Sequence, residues 1–330
     1  MRRIIPAPVL PFILLLAACL CLGACSPSFS VFGNAGAPYK EQTLSGSGSG
    51  KILLVSIDGL ISEHGSEGLL RTRPSAVEQV AAQLRLARKD KDIKALVLKV
   101  DSPGGTVAAS DVIYHEITAY KAETGVKVVA ELMGLAASGG YYVALPADRI
   151  CALPTTITGS VGVIFLQPRV ASLLDKIGVG VDVSKSGAQK DMGSPFRPAT
   201  PEEKRLVDAM VKAQAGRFIG LVRERRKLDP AALAIVSTAR VFTAQEAKDV
   251  GLVDSIGYME DALAEAAKLA GLPADARVVS YRRRPAPDAT YYQPGAEALE
   301  QRPALVNLGL ENLLPPRAGL YFLWMPGLSQ

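Results

Sequence analysis

Ala95-Leu-Val-Leu-Lys-Val-Asp-Ser-Pro-Gly-Gly105 runs an apolar segment into a glycine-rich loop, and residues 107–123 after it carry the amphipathic pattern of a helix. The same unit repeats on both sides. Residues 52–57 read as a strand and 75–89 as a helix before it, and 126–132 read as the next strand after it. Apolar strands alternating with crossover helices predict an α/β sheet. The pattern continues with strands expected at 150–153, 161–165 and 179–183 and a helix near 170–177. A long helix is expected from Thr200-Pro-Glu-Glu203 to about Lys227, with Thr200 as its cap, proline in the first turn and the acids complementing the dipole.

Active sites of open α/β sheets lie beyond the carboxyl ends of the strands. Two such loops are rich in glycine: residues 101–105, and Gly134-Leu-Ala-Ala-Ser-Gly-Gly140 after the strand at 126–132. Ser138 stands where strand gives way to helix, with two glycines behind it, which suits a nucleophile for acyl transfer. Small residues in such a run serve equally well where a helix packs closely on a sheet, so Ser138 needs partners before it means catalysis. The amides of Gly104, Gly105 and Gly139 are candidates for an oxyanion hole. The 101–105 loop lacks the Gly-Lys-Ser/Thr ending of a phosphate-binding loop, and no metal or cofactor is expected.

The base is the harder assignment. Only His64, in a polar Ser-Glu-His-Gly-Ser loop, and His115, within a helix, are present. The Gly-x-Ser-x-Gly elbow is incomplete because position 136 is alanine. A lysine can replace histidine if burial lowers its pKa by roughly three, against about 4 kcal/mol of desolvation, since only about 0.04% of an ordinary lysine is neutral at pH 7. The candidate is Lys190, in the irregular stretch Ser186-Gly-Ala-Gln-Lys-Asp-Met-Gly-Ser-Pro-Phe196, with Lys185 as its nearest competitor. Asp191 next door favours the charged form, so its carboxylate should point elsewhere. Any one lysine among 37 Lys and Arg residues is ordinarily a solvated surface group.

The N-terminus has the form of an export signal: Arg2-Arg3, then an apolar stretch over residues 4–22. Residues 1–24 form the expected lipoprotein-type signal peptide, ending in Leu22-Gly-Ala-Cys25, with Cys25 the lipid site. Leu16-Ala-Ala-Cys19 offers the same pattern, but Ser26 after Cys25 opens a polar linker. An uncleaved anchor is the alternative. Residues 25–50, ending in Ser45-Gly-Ser-Gly-Ser-Gly50, read as a flexible tether, 51–280 as the catalytic domain and 281–330 as a C-terminal extension. Net charge falls from +5 to +3 once Arg2 and Arg3 leave, and nothing asks for nucleic acid. Of four cysteines only Cys151 lies in the body, which excludes a disulfide framework. Arg282-Arg-Arg284 reads as a solvated basic turn. The apolar tail Ala318-Gly-Leu-Tyr-Phe-Leu-Trp-Met-Pro326 is too short to span a bilayer and reads as a strap over the core or an oligomer contact.

Five segments in order, Asp101-Ser-Pro-Gly-Gly105, Ala136-Ala-Ser-Gly-Gly-Tyr-Tyr142, Thr158-Gly-Ser-Val-Gly-Val163, Lys190-Asp-Met-Gly-Ser-Pro195 and the stretch from Val241 to Gly257, resemble the signal peptide peptidase A family of serine peptidases. The likeness spans about residues 51–270. It implies Ser138 as nucleophile and Lys190 as general base, acting on hydrophobic peptides such as cleaved signal peptides in the bacterial cell envelope. It further implies a crotonase/Clp-protease-like α/β fold and a homo-oligomeric ring whose active site takes serine and lysine from different protomers. Ser160 is not assigned a catalytic role. The rival readings are acyl-CoA chemistry on the same fold and a non-catalytic membrane scaffold.

Overall fold

A computed structural model of the protein describes residues 37–68, 71–284, 286, 288–293 and 319–324. The expected signal and Cys25 lie outside them. In chain order the strands and helices begin with β1 (Lys40–Ser45), β2 (Gly48–Asp58), β3 (Ser66–Gly68), β4 (Arg71–Arg73), α1 (Ala76–Ala87), β5 (Ile93–Ser102), β6 (Gly104–Thr106) and α2 (Val107–Thr124). They continue with β7 (Lys127–Ala137), α3 (Gly139–Ala144), β8 (Arg149–Ala152), β9 (Ile157–Gly159), β10 (Ile164–Leu166) and α4 (Ala171–Lys176). Then come α5 (Pro201–Arg226), α6 (Pro230–Val236), β11 (Val241–Thr243), α7 (Ala244–Asp249), β12 (Ser255–Ile256), α8 (Met259–Ala270), β13 (Ala276–Arg282) and β14 (Gly319–Leu323).

The main sheet runs β1-β13-β2-β5-β7-β8-β12, with β9 pairing the end of β7 and β11 pairing β9. Its central pairs are parallel, as crossover helices require. Side chains alternate between two buried faces. Leu53, Val55, Leu96 and Leu98 pack with α1, α2 and α3, whereas Ile52, Leu54, Ala95 and Val97 pack against Met259, Ala262 and Ala266 of α8. Register places Ser102 of β5 opposite Ala136 of β7, so the two glycine-rich loops leave neighbouring strands at the same edge.

Four expectations change. The folded body begins at β1, not Lys51: β1 pairs with β13, and Lys51 links Glu41 of β1 to Asp90 at 2.9 and 2.7 Å, so the tether does not extend to residue 50. Of the strand expected at 161–165 only Ile164 and Phe165 lie in one, β10; β9 ends before it at Gly159, and Gly159 and Ser160 take positive φ. Residues 179–183 form no strand: Val179, Val181 and Val183 are exposed, with no partner strand among the described residues. Arg282 is no solvated turn residue. It ends β13, is 5% exposed, and donates to Ser280 and Gln293.

Glu131 of β7 faces the α8 side, fully buried, and neither carboxylate oxygen has a hydrogen-bond partner among the described residues. Burial, aided by Asp261 and Glu260, pushes its pKa up to about 8. The native state therefore keeps a proton that the unfolded chain releases above about pH 4.5, and stability falls as pH rises from there toward 8. Glu131→Gln removes that slope. Relative to the variant, the parent should lose about 3 kcal/mol between pH 5 and 7.5 in urea unfolding, at roughly 1.36 kcal/mol per pH step. Parallel pH profiles for the two proteins would contradict this.

Candidate active site

Ser138 leaves the buried end of β7 and opens α3 with φ 53° and ψ −115°. A side chain in that region costs about 1–3 kcal/mol and persists only where the surroundings impose it. Here they do. The Ser138 amide donates to the Gly159 carbonyl at 2.7 Å, and its carbonyl accepts from Tyr142 at 2.9 Å. Tyr141 is tied by its hydroxyl to the Leu252 carbonyl and Tyr142 to Asp111, each at 2.6 Å. A Cβ at position 140 would lie 2.4 Å from the Ser102 carbonyl oxygen, so only glycine lets α3 settle on β5. The strand-to-helix elbow thus forms without the first glycine of its usual motif, and Ala136 is simply buried there.

The 101–105 loop meets this elbow. Gly104 has φ 98°, and a Cβ built on it would stand 2.6 Å from the Gly139 nitrogen. Its amide donates to the Ser102 hydroxyl at 3.0 Å, and that hydroxyl donates to the Gly59 carbonyl at 2.6 Å. Gly104 is therefore a close-approach residue, not a free oxyanion donor. The Ile61 amide bonds the Gly104 carbonyl and the Thr106 amide bonds the Ile61 carbonyl, both at 2.9 Å. In an extended strand the residue between them faces the other way, so the Gly105 amide turns from Ile61 toward the opposite edge. Gly105 and Gly139 remain as candidate donors, the Gly105 amide on the edge that pairs with β14. Ser102 is the residue that sequence reading missed: its hydroxyl shapes the loop, and only the fold shows it.

Lys190 sits on an exposed loop, and no hydrogen bond or ion pair joins it to Ser138. As expected, the Asp191 carboxylate turns elsewhere: it takes Arg197 at 2.8 Å and Lys185 at 2.7 Å, and these cations hold its pKa far below the usual carboxylate range. Arg197 also binds Glu203, which caps α5 at Thr200, and brings the Glu203 pKa down to about 2. The salt-bridge chain braces the loop, and the Lys190 amine has no partner among the described residues. Lys185, paired with Asp191, is a poor base. His64 and His115 are both exposed, and neither bonds Ser138.

The chain matches the family model of peptidase family S49 over residues 120–273, a span holding both Ser138 and Lys190. It is 35% identical over 243 residues to an Enterococcus faecium protein named for signal peptide peptidase SppA, covering 73% of this chain and 70% of that one. The chain belongs to the signal peptide peptidase A family, S49. A Synechocystis sp. protein named as a protease is 35% identical over 238 residues, covering 72% of this chain and 79% of that one. Protease 4 of Salmonella typhi is 40% identical over 195 residues, which cover 59% of this chain and 31% of that protein, so this S49 chain spans about a third of that relative. The Clp protease model matches residues 72–158, in keeping with the α/β sheet and its crossover helices. The S49 chain is a serine-type peptidase.

Proposed function

We propose that the protein is a membrane-associated endopeptidase that hydrolyses hydrophobic peptides, cleaved signal peptides among them, through a Ser138–Lys190 dyad. Ser138 Oγ gives its proton to Lys190 Nζ and bonds to the scissile carbonyl carbon. The Gly105 and Gly139 amides take the developing oxyanion. As the C–N bond breaks, Lys190 returns the proton to the leaving amine, and water then releases the acyl group by the reverse sequence. The observation that carries this reading is the strained Ser138 elbow packed against the Gly104–Gly105 loop, two features whose meeting close packing alone does not demand.

Lys190 comes from a neighbouring protomer in a ring, a reading supported by its exposure and its lack of any bond to Ser138 within the chain. Anchoring is through lipidated Cys25 or an uncleaved N-terminal segment. Among the described residues no helix is long and apolar enough to cross a membrane. The test is covalent: a fluorophosphonate applied to peptidase-active protein should add its mass to the peptide bearing Ser138. Label on another serine, with Ser138 unmodified, would refute the assignment.

A further inference from the structure

β2 and β13 are both longer than the ladder that joins them. Their parallel pairing ends at Leu53 and Val279, while β2 runs on to Asp58 and β13 to Arg282. β1 stays with β13 to its last residue, Lys40 opposite Arg282. The β1–β13 edge therefore parts from the rest of the main sheet, and a small cavity occupies the fork. Ser56 lines it from β2, and Ser280 and Arg282 line it from β13. Gln83 of α1 closes it on one face of the sheet, and Tyr291 and Gln293 close it on the other.

The charge in this fork is unbalanced. Arg282 is 5% exposed, and its guanidinium donates to the Ser280 hydroxyl and the Gln293 side-chain oxygen, both at 3.3 Å. Both acceptors are neutral, and no carboxylate pairs with Arg282 among the described residues. Lys99 of β5, in register with Ser56, is buried too; its amine donates to the Gln293 carbonyl at 2.9 Å and stands 3.7 Å from an Asp58 oxygen. Gln293 thus joins two buried cations, of which only Lys99 has a carboxylate within ion-pair distance among the described residues. Burial pushes the Arg282 pKa below its ordinary value, with no acidic neighbour to oppose it. A guanidinium nevertheless keeps its proton in a protein, so a buried one calls for an anion.

We propose that the fork between β2 and β13 binds a small oxyanion, a carboxylate or a phosphate, on the Arg282 guanidinium. The two bonds to Ser280 and Gln293 leave N–H groups of the planar fork unused, and that fork matches the oxygens of either ligand. The Ser280 hydroxyl, which accepts from Arg282, keeps its own proton to donate, and the Ser56 hydroxyl meets the anion from the other prong. Bound there, the anion ties the β1–β13 edge to β2 at the point where backbone pairing has stopped. The site shares no residue with the candidate active site and stands apart from the Ser138 reading.

Thermal unfolding of the full-length protein tests this, at fixed ionic strength, with sodium chloride replaced stepwise by sodium phosphate or sodium acetate. The parent should melt at least about 3 °C higher in phosphate, in acetate or in both than in chloride alone, the size expected when a ligand well above its Kd binds only the folded state. A gain in phosphate only assigns a phosphate ligand, and a gain in acetate only assigns a carboxylate. Arg282→Met should abolish the gain. Ser56→Ala, a small change that leaves the cation in place, should raise the anion concentration needed for half the gain by at least about threefold. Equal melting of the parent in all three salts would overturn the proposal. So would a gain that Arg282→Met keeps in full, because it would come from general salt effects on the folded state.

Discussion

Peptide hydrolysis should fall by at least about 10⁴-fold in Ser138→Ala, with the fold unchanged. The substitution removes Oγ, and with it the proposed acyl-enzyme route, while the candidate oxyanion donors Gly105 and Gly139 are left in place. Stability is the internal control. Alanine at φ 53° carries the same backbone strain as serine, and the bonds that impose the elbow are backbone bonds from Ser138 to Gly159 and Tyr142, which the variant keeps. Its melting temperature should match the parent within a few degrees. The measurement is kcat/KM on an apolar fluorogenic peptide, and a variant within tenfold of the parent would remove Ser138 from the mechanism.

Lys190→Ala should cost about 10²- to 10⁴-fold in kcat, the range of a lost general base. The side chain is exposed and unpaired among the described residues, so little stability goes with it. The informative experiment mixes the two inactive proteins. If each site takes serine from one protomer and lysine from the next, dissociating and reassembling equal amounts of Ser138→Ala and Lys190→Ala chains rebuilds intact sites. Random placement around a closed ring restores roughly a quarter of them. A mixture no more active than its parts would place serine and lysine in the same chain. The brace on the loop makes a further distinction possible: Arg197 and Lys185 hold Asp191 away from Lys190, so the Lys190 loss should not be rescued by changing Asp191.

Much of the fold was readable because parallel strands buried on both faces leave long apolar runs, and capping chemistry marks helix starts. β2, β5 and β7 extend the expected runs at one or both ends, and Thr200 caps α5 with Glu203 as expected. Three of the misreadings share one cause. The valines at 179, 181 and 183 carry a strand's alternation, but a strand needs a partner to bond, and none pairs with them among the described residues. Lys40–Ser45 looks like linker until β13 supplies its ladder, and Arg282 looks solvated until Ser280 and Gln293 surround it. The site divides the same way: Ser138, Gly105 and Gly139 stand out by local pattern, whereas Ser102 acts through a hydroxyl bond that no spacing predicts.

Sequence alone determined the crossover order of the sheet, the two glycine-rich loops and the identity of the nucleophile candidate, because these depend on residues close together in the chain. Tertiary structure decided which partners the loop glycines take and how Ser138 is strained. The Gly104 amide is turned to Ser102, and Phe322 arrives from the other end of the chain to pair with Gly105. The physical reason is that hydrogen-bond partners and buried contacts are set by distance in space, and separation along the chain, here more than two hundred residues between Gly105 and Phe322, carries no record of them.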